Sequence, residues 1–323
     1  MRKKYILPIA RSLVSIFGFN EKKYLLKSFS QLPANDGLGL IDVGAAGGIE
    51  KRWQSVIEDV NYYGFEPDER SFKELKSHTA ARSASIFPFA LWSEEKEISV
   101  FLCQDPQCSS VYEPNRVFLD KFPKAERFDV MDTFHCTSKQ LDQIELNQPH
   151  FIKMDIQGGE LDVLKGASNT LKKNLGMEIE VELLAMYKGQ PLFGEIVDYL
   201  GKFDLEFIDF VGTRRWLRDE HADIGHFVFG DALFLKSPET VMSDGYSKDD
   251  KINYLKILLL YRRFDLVDRF MELSDDATLK SLEGFISGMK PLRRNFNRVN
   301  KLNNFISVLF RFFGVNYKSH MVY

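Results

Sequence analysis

Two acids and three glycines near the start of the chain have the types and the spacing of a nucleotide-binding site. Asp42 lies at the end of the apolar run LGLIDV, and three glycines follow it before a helical pattern begins: Gly44, Gly47 and Gly48. Glycine lets the backbone approach a ligand closely, and a helix that starts there offers free N–H groups. Glu66 ends the next apolar run, NYYGFE, where a carboxylate can accept hydrogen bonds from two ribose hydroxyls. We therefore predict a ligand-binding site formed by Asp42, Gly44, Gly48 and Glu66.

The spacing of these residues distinguishes between kinds of nucleotide ligand. Nicotinamide dinucleotide enzymes have the pattern G-x-G-x-x-G and bind a pyrophosphate, whereas residues 42–48 read D-x-G-x-x-G-G. Because an acid ahead of the first glycine repels a pyrophosphate, the pattern disfavours a nicotinamide-dependent oxidoreductase and favours a ligand with a cationic end. The alternative is that the glycines form only a tight turn and that Glu66 is a surface acid.

Two further carboxylates follow later apolar runs and are the candidate catalytic residues. Asp155 follows HFIKM and precedes a Gly-Gly pair, and Glu182 lies near the end of GMEIEVEL. Ligands of open α/β sheets bind beyond the carboxyl ends of the strands, where a carboxylate can take a proton from a hydroxyl. The alternative interpretation of Asp155 is a purely structural acid that caps the N-terminus of a helix. Glu182 repeats with Glu178 and Glu180 at a period of two, as in the polar face of an edge strand. The pattern contains no convincing third ligand, and we predict no metal site.

The elements that position these residues belong to an α/β fold. Short apolar runs alternate with helical patterns from residue 38 to residue 236, as in a parallel sheet covered by helices. Seven runs are predicted strands: 38–44, 61–66, 85–91, 150–156, 176–183, 205–211 and 226–236. The connection between the last two runs is short for a helical crossover, so the last strand is predicted to be antiparallel.

The segments between and around these strands have other patterns. Prolines interrupt residues 92–149, which favours a long irregular insertion, and the apolar spacing of residues 159–172 predicts one helix. Residues 1–37 are predicted to be an N-terminal helical segment. Residues 237–323 are predicted to be a helical, basic C-terminal appendage of the domain at 38–236.

Four stretches of sequence resemble a known family. They are IDVGAAGG, GFEPD, SSVYEPN and, most specifically, FIKMDIQGGELDVLKGA, and in order and spacing they resemble the FkbM-type methyltransferases. The resemblance covers residues 38–236 and implies a Rossmann-like class I methyltransferase fold with a seven-stranded sheet. It also implies S-adenosyl-L-methionine as the cofactor, with its methionine end at Asp42, Gly44 and Gly48 and its ribose at Glu66.

Other positions of the family pattern are matched or changed in this chain. Leu141 and Asp142 match a Leu-Asp pair upstream of the fourth strand, and residues 231–234 match an Asp-Ala-x-Phe element on the last strand. Where the family commonly reads D-x-E-G-A-E, residues 155–160 read DIQGGE. The family's middle carboxylate is therefore an amide, Gln157, which cannot carry out a role that needs a charge.

Charge and cysteine content restrict the partners and the compartment. The formal net charge is −3 over 323 residues, which disfavours binding to nucleic acid. No acid follows Glu283, and residues 284–323 form a basic tail with the apolar pattern LNNFISVLFRFF. This pattern predicts packing on the body or in a homodimer, or, as the alternative, peripheral contact with an anionic membrane. Three cysteines without paired spacing indicate free thiols in a reducing, cytoplasmic compartment.

Together the residues and the resemblance predict a methyltransferase that acts on a hydroxyl of a saccharide or saccharide-bearing metabolite. The loop TRRWLRDEHADIG contains His221 as a candidate base and three arginines that fit a phosphate or acidic sugar, or else are solvated: Arg214, Arg215 and Arg218. The alternative function is a non-catalytic scaffold that binds a membrane surface or an assembly of glycan enzymes through its basic tail.

Overall fold

The computed structural model describes residues 29–219, 224–243, 245–275 and 277–280. The strands of these residues belong to two sheets and have the following bounds: β1 Leu38–Val43, β2 Val60–Phe65, β3 Ser83–Phe87, β4 Ala90–Leu91, β5 Lys96–Cys103, β6 Val130–Lys139, β7 Pro149–Met154, β8 Gly176–Glu182, β9 Leu205–Trp216 and β10 His226–Lys236. The α-helices are α1 Lys51–Gln54, α2 Glu69–His78, α3 Arg116–Leu119, α4 Glu160–Lys165, α5 Ser168–Lys173, α6 Phe193–Leu200, α7 Pro238–Met242, α8 Lys248–Leu260, α9 Phe264–Leu273 and α10 Ala277–Lys280.

The main sheet has seven strands in the order β3-β2-β1-β7-β8-β10-β9. Neighbours from β3 to β8 pair in parallel, whereas β10 pairs antiparallel with both β8 and β9. Every residue of β1 and of β8 is buried, as expected for central strands that are covered on both faces. The predicted seven-stranded, mostly parallel sheet with an antiparallel last strand is confirmed.

A second sheet occupies part of the segment that the sequence predicts to be irregular. Its three strands have the order β4-β6-β5, and β5 pairs antiparallel with β6. The prediction of an irregular insertion over residues 92–149 is therefore wrong for β5 and β6. These two strands lie far apart in the sequence and are only partly buried, so neither a short turn nor a continuous apolar run signals their pairing.

The predicted helix at residues 159–172 is two short helices, α4 and α5, which are separated at Gly166. A Cβ atom at Gly166 would lie 2.1 Å from the carbonyl oxygen of Trp92. The close approach of these two backbone segments is thus possible only with glycine, and it accompanies the break in the helix.

The helices after β10 pack against one face of the main sheet, where they contact side chains of β1 and β7. Tyr254 and Leu255 of α8 belong to a buried cluster that includes Leu38 and Leu40 of β1 and Phe151 of β7. The division of the chain into segments at 1–37, 38–236 and 237–323 stays a prediction, and residues 1–28 and 281–323 lie outside the described ranges. Within those ranges, no helix has both the length and the apolar character needed to cross a lipid bilayer.

Candidate active site

The glycine loop after β1 lies directly against the end of β7. Gly44 has a φ of +79°, and a Cβ atom there would lie 2.1 Å from the carbonyl oxygen of Asp155. Gly47 and Gly48 also have positive φ angles, but a Cβ atom at either position would have no neighbour within 4 Å. The first glycine is therefore needed for packing, whereas the other two leave open space beside the loop.

Asp42 is buried within β1, just before this loop. The Tyr62 hydroxyl donates a hydrogen bond of 2.8 Å to Oδ2 of Asp42, whereas Oδ1 has no hydrogen-bond partner among the described residues. Burial raises the pKa of Asp42, and the positive charge of Lys153 opposes this shift. A buried carboxylate oxygen without a donor is unfavourable by about 1–3 kcal/mol, so Asp42 is suited to receive a donor from a ligand.

Glu66 follows β2 and lies next to the same loop. Its Oε1 accepts a hydrogen bond of 2.8 Å from the backbone N–H of Asp68, and the backbone N–H of Ala46 also donates to the carboxylate. Burial raises the pKa of Glu66, while the hydrogen bonds from these two amides oppose the shift. The contact with Ala46 brings the second predicted acid to the glycine loop.

Gln157 links two acids near the carboxyl ends of β7 and β8, Asp155 just after β7 and Glu180 within β8. Its Nε2 donates a hydrogen bond of 2.9 Å to Oδ1 of Asp155 and another of 2.5 Å to Oε1 of Glu180. The Tyr187 hydroxyl donates to Oε1 of Gln157 at 3.2 Å, and the Ser110 hydroxyl donates to its backbone oxygen at 2.6 Å. Gln157 has a φ of +59°, which is unusual for a residue other than glycine. These bonds hold the amide between the two acids.

The acids of β8 lie inside the sheet and not on an edge strand. Glu178, Glu180 and Glu182 are all buried, because β8 lies between β7 and β10, so the edge-strand alternative for Glu182 is wrong. Burial raises the pKa of Glu180 to about 10, and the neighbouring charge of Asp155 adds to the shift. Burial also raises the pKa of Glu182 far above its usual value, with the charge of Glu160 as the next cause. Glu180 is therefore protonated at neutral pH.

A cavity of about 550 Å³ opens at the carboxyl ends of these strands. Three predicted site residues line it: Gly44, Glu66 and Asp155. Three others are not among its lining residues: Asp42, Gly48 and Glu182. The structure thus brings one predicted catalytic residue and two predicted cofactor residues to one space. Among the described residues, no group of His, Cys, Asp or Glu side chains is arranged to hold a metal ion.

The cavity also has lining residues that the sequence analysis does not select. Glu180 and Arg127 line it, together with Trp216. The period-two spacing of Glu180 with Glu182 places both on one face of β8 and was a usable signal for Glu180. Arg127 has no such signal, because it precedes β6 in the segment predicted to be irregular.

Of the three arginines in the predicted loop before the last strand, two lie on β9 and only one lines the cavity. β9 continues through Trp216, so Arg214 and Arg215 belong to a strand and not to a loop. Arg214 lines the cavity, whereas Arg215 and Arg218 do not. His221 lies outside the described ranges.

Two positions matched to the family pattern have partners within the protein. Asp142 accepts hydrogen bonds from the backbone N–H groups of Asn169, at 2.7 Å, and Thr170, at 2.9 Å, at the start of α5. Burial raises the pKa of Asp231 to about 6, and the charge of Arg214 opposes the shift. Asp142 is thus a structural residue that stabilises the start of a helix.

The sheet order and the loop after β1 define the Rossmann-like class I methyltransferase fold. The sequence-family model of the methyltransferase FkbM domain matches residues 42–208, about half of the chain. The protein therefore belongs to the FkbM methyltransferase family and is an S-adenosyl-L-methionine-dependent methyltransferase. No curated protein matches the chain significantly.

Solved structures with similar folds include three methyltransferases. The FkbM methyltransferase of Methylobacillus flagellatus is 16% identical, with 64% of this chain and 47% of that chain covered and a TM-score of 0.37. M. jannaschii TYW2 in complex with AdoMet is 12% identical, with coverage of 69% and 80% and a TM-score of 0.28. M. capricolum TrmK in complex with S-adenosyl-homocysteine is 10% identical, with coverage of 88% and 97% and a TM-score of 0.26.

Proposed function

We propose that the protein is an O-methyltransferase that methylates a hydroxyl of a saccharide or of a saccharide-bearing metabolite in polysaccharide biosynthesis. The observation that carries this proposal is the position of Asp155. Its carboxylate lines the cavity that Gly44 and Glu66 also line, and it accepts a hydrogen bond from Gln157. A carboxylate in such a position is suited to remove the proton of a hydroxyl nucleophile.

The residues around the glycine loop fit the cofactor. The unpartnered Oδ1 of Asp42 suits an ammonium group, the open space at Gly47 and Gly48 admits a ligand beside the backbone, and Glu66 suits ribose hydroxyls. We therefore assign Asp42, Gly44, Gly48 and Glu66 to cofactor binding. When bound, S-adenosyl-L-methionine supplies an electrophilic methyl group.

Among the acids near the cavity, Asp155 is the best candidate for the base. Glu180 also lines the cavity, but its pKa of about 10 keeps it protonated at neutral pH, so it can donate a hydrogen bond and cannot accept a proton. Glu182 also has a raised pKa and does not line the cavity. Glu182, the second candidate from the sequence, is thus supported less well than Asp155.

Cofactor binding is tested by calorimetric titration with S-adenosylhomocysteine. We expect the wild-type protein to bind and Glu66→Ala to lose most of its affinity, because the hydrogen bonds to the ribose hydroxyls are lost. Glu69→Ala is the matched control, since Glu69 is an exposed acid three residues away that pairs with Lys73. Equal affinity in wild type and Glu66→Ala would contradict the ribose assignment. Absence of binding to the wild type would favour the scaffold function.

The role of Asp155 is tested with labelled S-adenosyl-L-methionine and a panel of hydroxylated sugars. We expect Asp155→Asn to bind S-adenosylhomocysteine like the wild type and to transfer methyl groups about 10²–10⁴-fold more slowly, as for loss of a general base. Transfer at the wild-type rate would exclude Asp155 as the base. Label on nitrogen or carbon of an acceptor would contradict O-methylation.

The cellular location and the partners are further proposals. We propose a cytoplasmic protein whose residues 284–323 pack on the body or in a homodimer, with peripheral membrane contact of that tail as the alternative. The basic and apolar composition of the tail supports both, and the tail lies outside the described residues. Flotation with anionic vesicles, with and without residues 284–323, separates them: if neither form binds vesicles, membrane contact is excluded.

A further inference from the structure

The cavity extends well past the glycine loop. Its lining residues run from Glu66, after β2, to Arg214 on β9. Five strand-to-strand steps separate β2 from β9 in the sheet order, which is about 24 Å at ~4.8 Å per step. The glycine loop and Glu66 lie at one end of this space. The end near β9 is therefore separate from the residues that bind the cofactor and is available to the acceptor.

Arg127 lies at the β9 end of the cavity. Its guanidinium carbon lies 4.5 Å from the ring centroid of Trp216 and 4.9 Å from that of Phe128. Both aromatic residues line the cavity as well. The two ring centroids lie 5.9 Å apart, so the rings contact the guanidinium from adjacent directions and restrain it by cation–π contact.

The guanidinium of Arg127 has no anionic partner in the described part of the chain. Its Nε atom is buried and has no hydrogen-bond partner, and no ion pair joins Arg127 to an acid of the described residues. The lining residue Asp105 forms no ion pair with Arg127, and its Oδ1 accepts a hydrogen bond of 3.2 Å from the backbone N–H of Gln107. A buried donor of this kind is unfavourable unless a ligand satisfies it.

A second cation, Arg214, lines the same end of the cavity. Arg214 and Trp216 lie two residues apart on β9, and Arg214 pairs in register with Phe229, which lines the cavity too. Asp231 lies near Arg214 and offsets part of its charge, so Arg127 is the stronger of the two anion-binding groups. Because Glu180 is protonated at neutral pH, it does not repel an anion in the neighbouring space.

We infer that Arg127 and Arg214 bind an anionic group of the methyl acceptor, a carboxylate or a phosphate, at the β9 end of the cavity. The inference rests on the proposed function and narrows its acceptor to acidic or phosphorylated saccharides. The planar guanidinium of Arg127 matches the two oxygens of either group. The rest of the acceptor then extends from β9 toward Asp155 in the middle of the sheet, where its hydroxyl meets the proposed base.

The test is calorimetric titration of the protein saturated with S-adenosylhomocysteine. The probes are glucuronic acid, glucose 1-phosphate and glucose, which share a pyranose ring and differ in the anionic group. We expect at least one charged sugar to bind more tightly than glucose. The relative affinities of glucuronic acid and glucose 1-phosphate then show whether a carboxylate or a phosphate is the preferred group. Arg127→Met and Arg214→Gln should each weaken that binding about tenfold or more, while Arg127→Lys should weaken it less than Arg127→Met.

The matched control is Arg215→Gln. Arg215 is the chain neighbour of Arg214 but does not line the cavity, and its guanidinium contacts Phe227 and the carbonyl oxygen of Gly225. Its removal should leave the affinity for the charged sugar unchanged. An equal loss in this variant would indicate a general effect of surface charge and would overturn the inference.

Three other outcomes would also overturn the inference. They are binding of glucose as tight as that of the charged sugars, lack of binding by both charged sugars, and unchanged affinity in Arg127→Met. A loss of S-adenosylhomocysteine affinity in Arg127→Met would place the cofactor's own carboxylate at this arginine and would overturn it as well. Failure of the wild type to bind S-adenosylhomocysteine is a different result, which concerns the proposed function and is measured before any sugar is added.

Discussion

The side-chain nitrogen of Gln157 donates a hydrogen bond of 2.9 Å to the carboxylate of Asp155. The same nitrogen has a second acceptor in Glu180, at 2.5 Å. An ionised glutamate at position 157 could donate to neither oxygen. The amide therefore satisfies both neighbouring acids, whereas an ionised carboxylate at this position would repel the Asp155 carboxylate.

Gln157→Glu is expected to destabilise the protein in a pH-dependent way. The new carboxylate would lie within hydrogen-bonding distance of the Asp155 carboxylate, so at pH 8 we expect the free energy of unfolding to fall by about 1–3 kcal/mol, and less at pH 5, where partial protonation of the new acid relieves the repulsion. Chemical denaturation at the two pH values measures this. Gln143→Glu, at an exposed position, is the control. A loss that is the same at both pH values would contradict the electrostatic explanation.

Glu180→Gln is expected to reduce the loss of stability that accompanies a rise in pH. The pKa of Glu180 is about 10 in the folded protein against a usual 4.5, so folding favours the protonated acid. Its contribution is fully present below pH 4.5 and is lost progressively as pH rises toward 10. Between pH 5 and pH 8 the free energy of unfolding should therefore fall less in Glu180→Gln than in the wild type. Glu239→Gln is the control, because Glu239 is exposed and its pKa is lowered by the hydrogen bond from Arg269. If the free energy of unfolding changes equally with pH in the wild type and in Glu180→Gln, the pKa of Glu180 is not raised in the folded protein.

Gly44→Ala and Gly47→Ala form a matched pair at the cofactor loop. Both glycines have positive φ angles near +80°, so both substitutions strain the backbone by about 1 kcal/mol. Only the first adds a clash, because its Cβ atom would lie 2.1 Å from the Asp155 carbonyl oxygen. Thermal unfolding and S-adenosylhomocysteine titration should show a much larger loss for Gly44→Ala. Similar losses in both would indicate that the contact between the loop and β7 is unimportant.

Leu255→Ala tests whether the helices after β10 share the main core. Leu255 is fully buried in the cluster that contains Leu38 and Phe151, so its truncation should lower the free energy of unfolding by about 2–5 kcal/mol in one cooperative transition. Glu272→Ala, at an exposed site of α9, is the control. If the protein unfolds in two transitions and Leu255→Ala shifts only the earlier one, the helices after β10 form an independently folding appendage.

The strands and their order in the chain were predictable because buried parallel strands are short, continuous apolar runs. The runs at 38–44 and 150–156, for example, correspond to β1 and β7 to within two residues. The pairing of β5 with β6 was not predictable, because it joins distant and partly exposed segments. The position of Glu182 on an interior strand was also missed, since period-two acids look the same on an edge strand and beside a buried polar cavity.

The amino-acid sequence by itself determined the α/β class, the family and the cofactor, because these depend on local patterns: apolar runs, the glycine spacing and an acid at a strand end. Tertiary structure decided which acids share a cavity with the loop. Gly44, Glu66 and Asp155 meet there, whereas Glu182 does not line it. It also decided that Glu180 is held protonated and that Arg127 lies at the far end of the site, since burial and long-range packing set both properties and neither is encoded in the residues' immediate neighbours.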